Sequence, residues 1–160
     1  MNKTQVDQNI LAPVVKSVSV RLSIEAAFSL FTEKINQWWP LKTHSVWGND
    51  AMSCHIEGWV GGRFYEVNLD GLQSDWGVVR EWEPPHRVVF SFNPGRSPAT
   101  AQQVEVLFQP EANGTRVTLT HTGWELLGEN ASKMRDNYEQ GWNGVLNQYV
   151  ICTASGGVEL

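Results

Sequence analysis

Two titratable side chains have positions that could support chemistry, His121 and Glu66. His121 follows Val117 and Leu119 on alternate positions, so all three lie on one face of a predicted strand. We weigh two roles for His121: a hydrogen-bonded histidine at the rim of a sheet, or a polar group inside a pocket that could pair with Glu66. General acid–base catalysis would require both groups within hydrogen-bond reach of a substrate.

The orientation of Glu66 decides whether such a pair can exist. Tyr65, Val67 and Leu69 are apolar residues at alternate positions of the same predicted strand. This alternation predicts that they face the core and that Glu66 faces solvent. The opposite register would bury the carboxylate, which would then need a partner or a shifted pKa, because a lone buried charge is very costly.

The other histidines do not form the pattern of a metal or nucleophile site. His44 lies in a predicted loop and His86 in a predicted turn, so both are expected in solvent. His55 and Trp59 are four residues apart in one predicted strand and therefore lie on the same face, so His55 could face inward. Spacing typical of metal ligands is absent, as are a nucleophile elbow and a glycine-rich phosphate loop. We therefore expect no metal, no cofactor and no catalytic residue.

Aromatic residues are unusually numerous, with eight tryptophans in the chain. A buried ring removes roughly 150–250 Å² from water, so the surplus either fills the core or lines a cavity with apolar walls and a few polar groups. Phe92 belongs to this aromatic set. The predicted ligand-binding residues are Trp38, Trp59, Phe64, Glu66, Trp76, Phe90, His121, Trp124, Tyr138 and Trp142.

Composition limits the partners of this chain. Its net charge is −5 and it has no Lys/Arg cluster, which argues against nucleic acid and against anionic membranes. No apolar run approaches the ~20 residues that span a bilayer, and the polar start does not resemble a signal peptide. Two cysteines without disulfide or metal spacing favour a reduced, cytoplasmic protein. We predict a flexible tail at 1–13, a single domain at 14–153 and a second tail at 154–160.

The elements that would position these residues follow from periodicity and turn signals. Alternation predicts a strand over Val14–Leu22, and helical spacing after Ser23 predicts a short helix followed by a helical turn at 33–38. The later predicted strands are Met52–Trp59, Arg63–Leu69, Ser74–Trp82, Arg87–Phe92, Gln103–Gln109 and Thr115–Thr122. Glycine- and proline-containing turns between them predict an antiparallel meander, and a final long helix is predicted over Ser132–Thr153.

The widths of these elements predict an interior space. A sheet of six or seven strands is about 25–30 Å wide, whereas one covering helix is only about 10–12 Å across. The sheet must therefore curve around the long helix, while the short helices close one side. The space between sheet and helix is then filled either by bulky rings or by a ligand.

Several motifs occur in the order that characterises a known family. They are Trp38-Trp39-Pro40, Gly61-Gly62-Arg63-Phe64-Tyr65-Glu66, Trp76-Gly77-Val78-Val79, Glu83-Pro84-Pro85-His86-Arg87-Val88, Gly114-Thr115-Arg116-Val117, His121-Thr122-Gly123-Trp124 and Gly141-Trp142. With the predicted element order, they resemble the helix-grip, or START-like (SRPBCC), superfamily. Within it the chain resembles the family related to the C-terminal domain of the activator of heat-shock protein 90 ATPase.

The resemblance implies an α+β fold in which a curved antiparallel sheet of six to seven strands wraps around a long C-terminal helix. It also implies that Phe64, Glu66 and Asn68 point inward, against the alternation described above, so that Glu66 would be a polar anchor. Members of the superfamily include lipid carriers, polyketide cyclases, plant hormone receptors and a co-chaperone domain, so the fold alone does not specify an activity.

Three functions remain open from the sequence. The favoured hypothesis is a non-catalytic protein that binds a small apolar or amphipathic molecule between sheet and helix. The second is a co-chaperone-like module that acts on heat-shock protein 90 ATPase through exposed tryptophans. The third is a cyclase- or hydrolase-type enzyme that uses Glu66 and His121. Exposed strand edges also make a homodimer a reasonable expectation.

Overall fold

The computed structural model describes residues 11–154, in which seven strands form one antiparallel sheet. In chain order, the elements are β1 (Val14–Val20), α1 (Ile24–Phe31), β2 (Ala51–Ile56), β3 (Arg63–Asn68), β4 (Gln73–Glu83), β5 (Arg87–Phe92), β6 (Gln102–Glu111), β7 (Gly114–Thr122) and α2 (Ala131–Ala154). Short 3-10 segments occupy Ile35–Gln37, Gly48–Asp50, Pro98–Thr100 and Trp124–Asn130. None of the described helices is long and apolar enough to cross a membrane. The tails predicted before residue 11 and after residue 154 lie outside the described residues.

The sheet has the strand order β1-β7-β6-β5-β4-β3-β2, so strands β2 to β7 form a meander and β1 joins it beside β7. It curls around α2, whose Trp142, Val145, Leu146 and Tyr149 are buried. This arrangement confirms the predicted α+β helix-grip architecture.

Helix α1 begins directly after its N-cap residue, Ser23. The Ser23 hydroxyl accepts a hydrogen bond from the backbone N–H of Ala26 at 3.1 Å, which satisfies one of the free donors of the first turn. Strand β1 ends at Val20, short of the predicted Leu22. The Tyr149 hydroxyl of α2 donates to the carbonyl of Ala27 at 2.8 Å, so the two helices are tied together.

The register of β3 agrees with the family resemblance and not with the apolar alternation of the strand itself. Phe64, Glu66 and Asn68 are buried, whereas Tyr65 and Val67 are partly buried and alternate with them. The prediction that alternation would place Glu66 in solvent was therefore wrong. The cause lies on the outer face of the sheet.

On the outer face of β3, the side chains of Arg63 and His55 lie close to the ring of Tyr65. The guanidinium carbon of Arg63 lies 4.1 Å from the centre of the Tyr65 ring, and the centre of the His55 ring lies 5.2 Å from it. Arg63 also forms an ion pair with Asp75 at 2.8 Å. These contacts stabilise the Tyr65 ring on the outer face, so its burial in the core is not required.

Strand β2 ends at Ile56, before the predicted end at Trp59. A tight turn follows, in which the N–H of Trp59 donates to the carbonyl of Glu57 and the N–H of Gly62 donates to the carbonyl of Trp59. A Cβ atom at Gly62 would lie 2.4 Å from the Glu57 carbonyl oxygen, so only glycine allows this approach. The Trp59 side chain lies in solvent, 58% exposed, and not in the interior, where the sequence predicted it to bind a ligand.

Aromatic rings pack against one another in the interior between the sheet and the two helices. The Phe31 ring centre lies 5.0 Å from that of Trp38 and 5.9 Å from that of Phe108, and Trp38 lies 5.0 Å from Tyr149. Trp124 and Phe90 are also buried. Bulky side chains therefore occupy this part of the predicted space and leave room for a cavity elsewhere.

Candidate functional site

A cavity of about 380 Å³ lies between the loop after Trp39, the β5–β6 loop and α2. Its volume falls within the roughly 300–1,000 Å³ typical of small-molecule sites. It is lined by Trp39, Thr43, His44, Ser45, Val46, Trp76, Phe92, Pro94, Gly95, Tyr138, Gly141, Trp142 and Val145. Thr43, Val46 and Gly95 are exposed, so the cavity meets solvent between the two loops.

Four of the lining rings touch one another and form a continuous aromatic wall. Trp39 lies 5.2 Å from Trp76 and 5.9 Å from Trp142 between ring centres. Phe92 lies 5.6 Å from Trp142 and 6.4 Å from Trp76. Three different parts of the chain supply these rings: the loop after α1, the sheet and α2.

The three indoles of this wall use their N–H groups within the protein. Trp39 donates to the carbonyl of His44 at 2.7 Å, and Trp76 donates to the Glu66 carboxylate at 2.7 Å. Trp142 donates to Nδ1 of His121 at 2.9 Å. Because their donors are occupied, the indoles present carbon surface to the cavity, which suits an apolar or aromatic ligand.

Glu66 is buried behind this wall, where it holds the loop in place. Its Oε1 accepts hydrogen bonds from the N–H of Val46 and the indole of Trp76, both at 2.7 Å, and its Oε2 accepts one from the N–H of Trp47 at 3.1 Å. Within residues 11–154, Glu66 forms no ion pair with a basic side chain. Three N–H donors therefore supply the stabilisation that a buried carboxylate requires.

His121 is buried and neutral behind the same wall. Its Nδ1 accepts the Trp142 hydrogen bond, so the neutral ring carries its proton on Nε2. In the described part of the chain Nε2 has no hydrogen-bond partner, and the Trp124 ring lies 4.1 Å away between ring centres. Burial, and secondarily the positive charge of Arg96, lower the pKa of His121 to about 3.

We expect this buried histidine to make the protein sensitive to acid. The pKa of His121 is about 3 in the folded state against 6.5 when unperturbed, so the unfolded chain binds the proton more readily below pH 6.5. The free energy of unfolding should therefore fall by up to about 1.4 kcal/mol per pH unit below that value, until the folded pKa is reached. His121→Asn keeps an acceptor for Trp142 and removes the titration.

Urea unfolding at about pH 7 and about pH 5 measures this contribution. Wild-type protein should lose more stability between the two pH values than His121→Asn does, whereas His86→Asn, at an exposed histidine, should behave like wild type. Equal losses in wild type and His121→Asn would contradict the buried, neutral state of His121.

The structure does not join Glu66 and His121 into the pair considered from the sequence. Glu66 bonds to the loop and to Trp76, and His121 bonds to Trp142. Among the described residues no hydrogen bond or ion pair connects the two. Neither side chain lines the cavity, so both act as supports for the rings that do.

His44 was expected in solvent but is partly buried and lines the cavity. Its Nδ1 lies 2.8 Å from the Thr43 hydroxyl. Its ring faces α2 at two glycines: a Cβ atom at Gly144 would lie 3.6 Å from it, and one at Gly141 3.8 Å. Partial burial lowers the pKa of His44. Two glycines three residues apart on one helix were the signal in the sequence that a loop could approach here.

The predicted ligand-binding residues separate into three groups. Trp76, Tyr138 and Trp142 line the cavity. Six others are buried behind the cavity or elsewhere in the core: Trp38, Phe64, Glu66, Phe90, His121 and Trp124. The last, Trp59, is in solvent. The lining residues that the prediction missed include Trp39, His44 and Val145. Within residues 11–154, no group of three or more His, Cys, Asp and Glu side chains could hold a metal ion.

Comparison with known proteins gives one family match. A model of the family described as Activator of Hsp90 ATPase homolog 1-like protein matches residues 21–150. No curated protein matches the chain in sequence.

Solved structures with a similar fold include one that is also similar in sequence. The anthrahydroquino-gamma-pyrone synthase Txn09, solved as a complex with SUM, is 34% identical, with 78% of this chain and 85% of that one covered and a TM-score of 0.56. The AHSA1-like protein from Aeromonas hydrophila is 20% identical, with coverage of 92% and 95% and a TM-score of 0.65. A protein of unknown function from Staphylococcus aureus, SA2116, is 14% identical, with coverage of 91% and 95% and a TM-score of 0.66. The last two likenesses concern the fold alone.

Proposed function

This chain belongs to the family of Activator of Hsp90 ATPase homolog 1-like proteins, and we propose that it binds a small aromatic, apolar or amphipathic molecule in the cavity between its sheet and α2. The aromatic wall of Trp39, Trp76, Phe92 and Trp142 carries this proposal. These rings contact one another, and the indole donors among them are already bonded inside the protein. A flat apolar ligand that covers this wall would bury the largest apolar area on binding.

The 34% identical synthase supports a fused-ring ligand. Its name describes a product built from an anthrahydroquinone and a pyrone, which is a planar ring system of the kind that an aromatic wall accommodates. We propose binding and assign no reaction, because Glu66 and His121 do not line the cavity.

The distribution of tryptophans favours this function over a co-chaperone that uses exposed indoles. Five of the eight tryptophans, Trp38, Trp39, Trp76, Trp124 and Trp142, are buried. Of the remaining three, Trp59 is the one that is mainly exposed, at 58%. A co-chaperone that used a surface of exposed indoles would instead have most of its tryptophans in solvent.

The test is binding of N-phenyl-1-naphthylamine, a neutral aromatic probe whose fluorescence rises in apolar sites, to wild type and two variants at Gly141. This glycine lines the cavity, and the leucine of Gly141→Leu would occupy the space in front of the wall. We expect a loss of affinity of at least about tenfold, or about 1.4 kcal/mol. Gly141→Ala is the matched control, since its methyl group meets His44 at an ordinary contact distance of 3.8 Å and should leave the affinity nearly unchanged.

Both variants should remain folded, because replacing a helical glycine by alanine stabilises a helix by roughly 0.5–1 kcal/mol and leucine is also a good helix former. Circular dichroism and thermal unfolding verify this. Absence of probe binding to the wild type, or unchanged binding by a folded Gly141→Leu, would overturn the proposed function.

A further inference from the structure

We propose that Tyr138, supported by Arg96 behind it, forms the polar recognition point of the cavity, where its hydroxyl binds a negatively charged oxygen of the ligand, such as a phenolate, enolate or carboxylate oxygen. The inference rests on the proposed function and specifies its ligand class: an aromatic body with an acidic oxygen at one edge. The aromatic wall holds the body, and these two side chains select the charge.

Tyr138 presents a hydroxyl donor beside the aromatic wall. It lies on α2, one turn before Gly141, and lines the cavity. Its oxygen accepts a hydrogen bond from Nη2 of Arg96 at 3.0 Å. Within residues 11–154 no acceptor receives the hydrogen of this phenol, so it is free to be donated to a ligand. The Phe92 ring lies 6.0 Å away between ring centres and keeps the phenol next to the wall.

Arg96 supplies a positive charge that no carboxylate neutralises. In the described region Arg96 forms no ion pair with an acidic side chain. Four other arginines do form one: Arg63, Arg87, Arg116 and Arg135. Its other side-chain contacts are long ones, at 3.4 and 3.5 Å to the amide oxygen of Gln102. A partly buried guanidinium without a carboxylate partner can stabilise an anionic oxygen bound at the neighbouring Tyr138 hydroxyl, because opposite charges attract more strongly where water is partly excluded.

A turn within the β5–β6 loop holds the backbone of Arg96 in position beside the cavity. The amide of Asn93 donates to the carbonyl of Arg96 at 2.8 Å, and the N–H of Arg96 donates to the carbonyl of Asn93 at 2.9 Å. The intervening Pro94 and Gly95 line the cavity. These two bonds fix the backbone of the turn, and the hydrogen bond to Tyr138 positions the guanidinium before a ligand arrives, which reduces the ordering cost of binding.

The protonation state of Tyr138 fits this role. Burial raises the pKa of Tyr138, and the charge and hydrogen bond of Arg96 lower it by a smaller amount. The phenol therefore remains protonated at neutral pH and acts as a donor. An anionic ligand oxygen would receive the hydrogen bond of a neutral phenol with a cation behind it, and both the hydrogen bond and the positive charge favour the charged form of an acid.

Two probes that share one carbon skeleton test the inference. N-phenyl-1-naphthylamine is neutral, and 8-anilino-1-naphthalenesulfonate is the same molecule with a sulfonate group. Arg96→Gln should lower the affinity for the sulfonate by at least about tenfold while the affinity for the neutral probe changes less than about twofold. Tyr138→Phe should lower the sulfonate affinity by several-fold in the same selective way. Arg80→Gln is the matched control, because Arg80 is exposed and its side chain bonds to Gln103, which does not line the cavity.

The outcomes separate this inference from the proposed function. If the wild type does not bind the neutral probe, the proposed function fails. If the neutral probe binds but Arg96→Gln weakens both probes equally, or weakens neither, the function stands and the recognition point is refuted. Should Arg96→Gln fold poorly, Arg96→Lys and a salt titration decide: the charge preference must persist in part in the lysine variant, and salt must weaken the sulfonate alone.

Discussion

Trp142→Ala is expected to lower the free energy of unfolding by about 3–5 kcal/mol, the range found when a large buried ring is removed from a core. Trp142 is 2% exposed and contacts Phe92 and Trp39 at the centre of the aromatic wall. The truncation also removes the hydrogen bond to Nδ1 of His121, which leaves both nitrogens of that buried ring without partners. Urea or thermal unfolding measures the loss.

Two further variants assign the cause of this loss. Trp142→Phe keeps most of the ring packing and removes the N–H donor, so it should cost about 1–3 kcal/mol, the penalty for one unsatisfied buried polar atom. Trp59→Ala makes the same truncation at an exposed tryptophan and should cost less than about 1 kcal/mol. If Trp142→Ala were no more destabilising than Trp59→Ala, the packed position of Trp142 would be refuted.

Glu66→Gln is expected to reduce both stability and ligand affinity. The carboxylate accepts three N–H hydrogen bonds, and an amide in its place can accept through its single oxygen alone while its NH₂ group meets one of the donors. Hydrogen bonds to a charged group are worth about 1.5–3 kcal/mol each, partly offset because burying the neutral amide costs less. We expect a net loss of about 2–4 kcal/mol in the free energy of unfolding.

The same variant should weaken the neutral probe by about tenfold, because the N–H groups of Val46 and Trp47 would no longer hold the loop against the cavity. Glu83→Gln is the control: it makes the same chemical change at an exposed carboxylate, where the effect should stay within about 0.5 kcal/mol. A Glu66→Gln protein with wild-type stability and affinity would contradict the anchoring role of Glu66.

The architecture could be predicted from the sequence because several local signals agree with one another. Turn residues separate the strands of the meander, Ser23 caps α1, and the long C-terminal helix was placed at 132–153 against the observed Ala131–Ala154. The element order and the ordered motifs then identified the helix-grip arrangement. Each of these signals depends on neighbours in sequence, which is the information that a pattern contains.

The register of β3 could not be read from its own pattern. Alternation treats Tyr65 as a core residue, but the side chains of Arg63 and His55 cover it on the outer face. The donors that make a buried Glu66 tolerable lie 10 to 20 residues away along the chain, in β4 and in the loop after α1. The family resemblance carried this long-range information, and the strand's own periodicity did not.

Membership of the cavity wall also depends on tertiary packing. Trp38 and Trp39 are adjacent in sequence, yet Trp38 packs in the core against Phe31 and Tyr149 while Trp39 lines the cavity. Counting aromatic residues predicts a surplus without saying which rings border the space. His44 was missed for a similar reason, since its burial depends on two glycines of a distant helix.

The most direct test of the account is a proton–nitrogen NMR titration of the tryptophan indole N–H signals with N-phenyl-1-naphthylamine. If the ligand site is the cavity, the signals of Trp39, Trp76 and Trp142 should shift together and saturate at one dissociation constant, while that of the exposed Trp59 stays in place. Binding that shifts Trp59 and leaves those three unchanged would place the site on the outer surface and contradict the account.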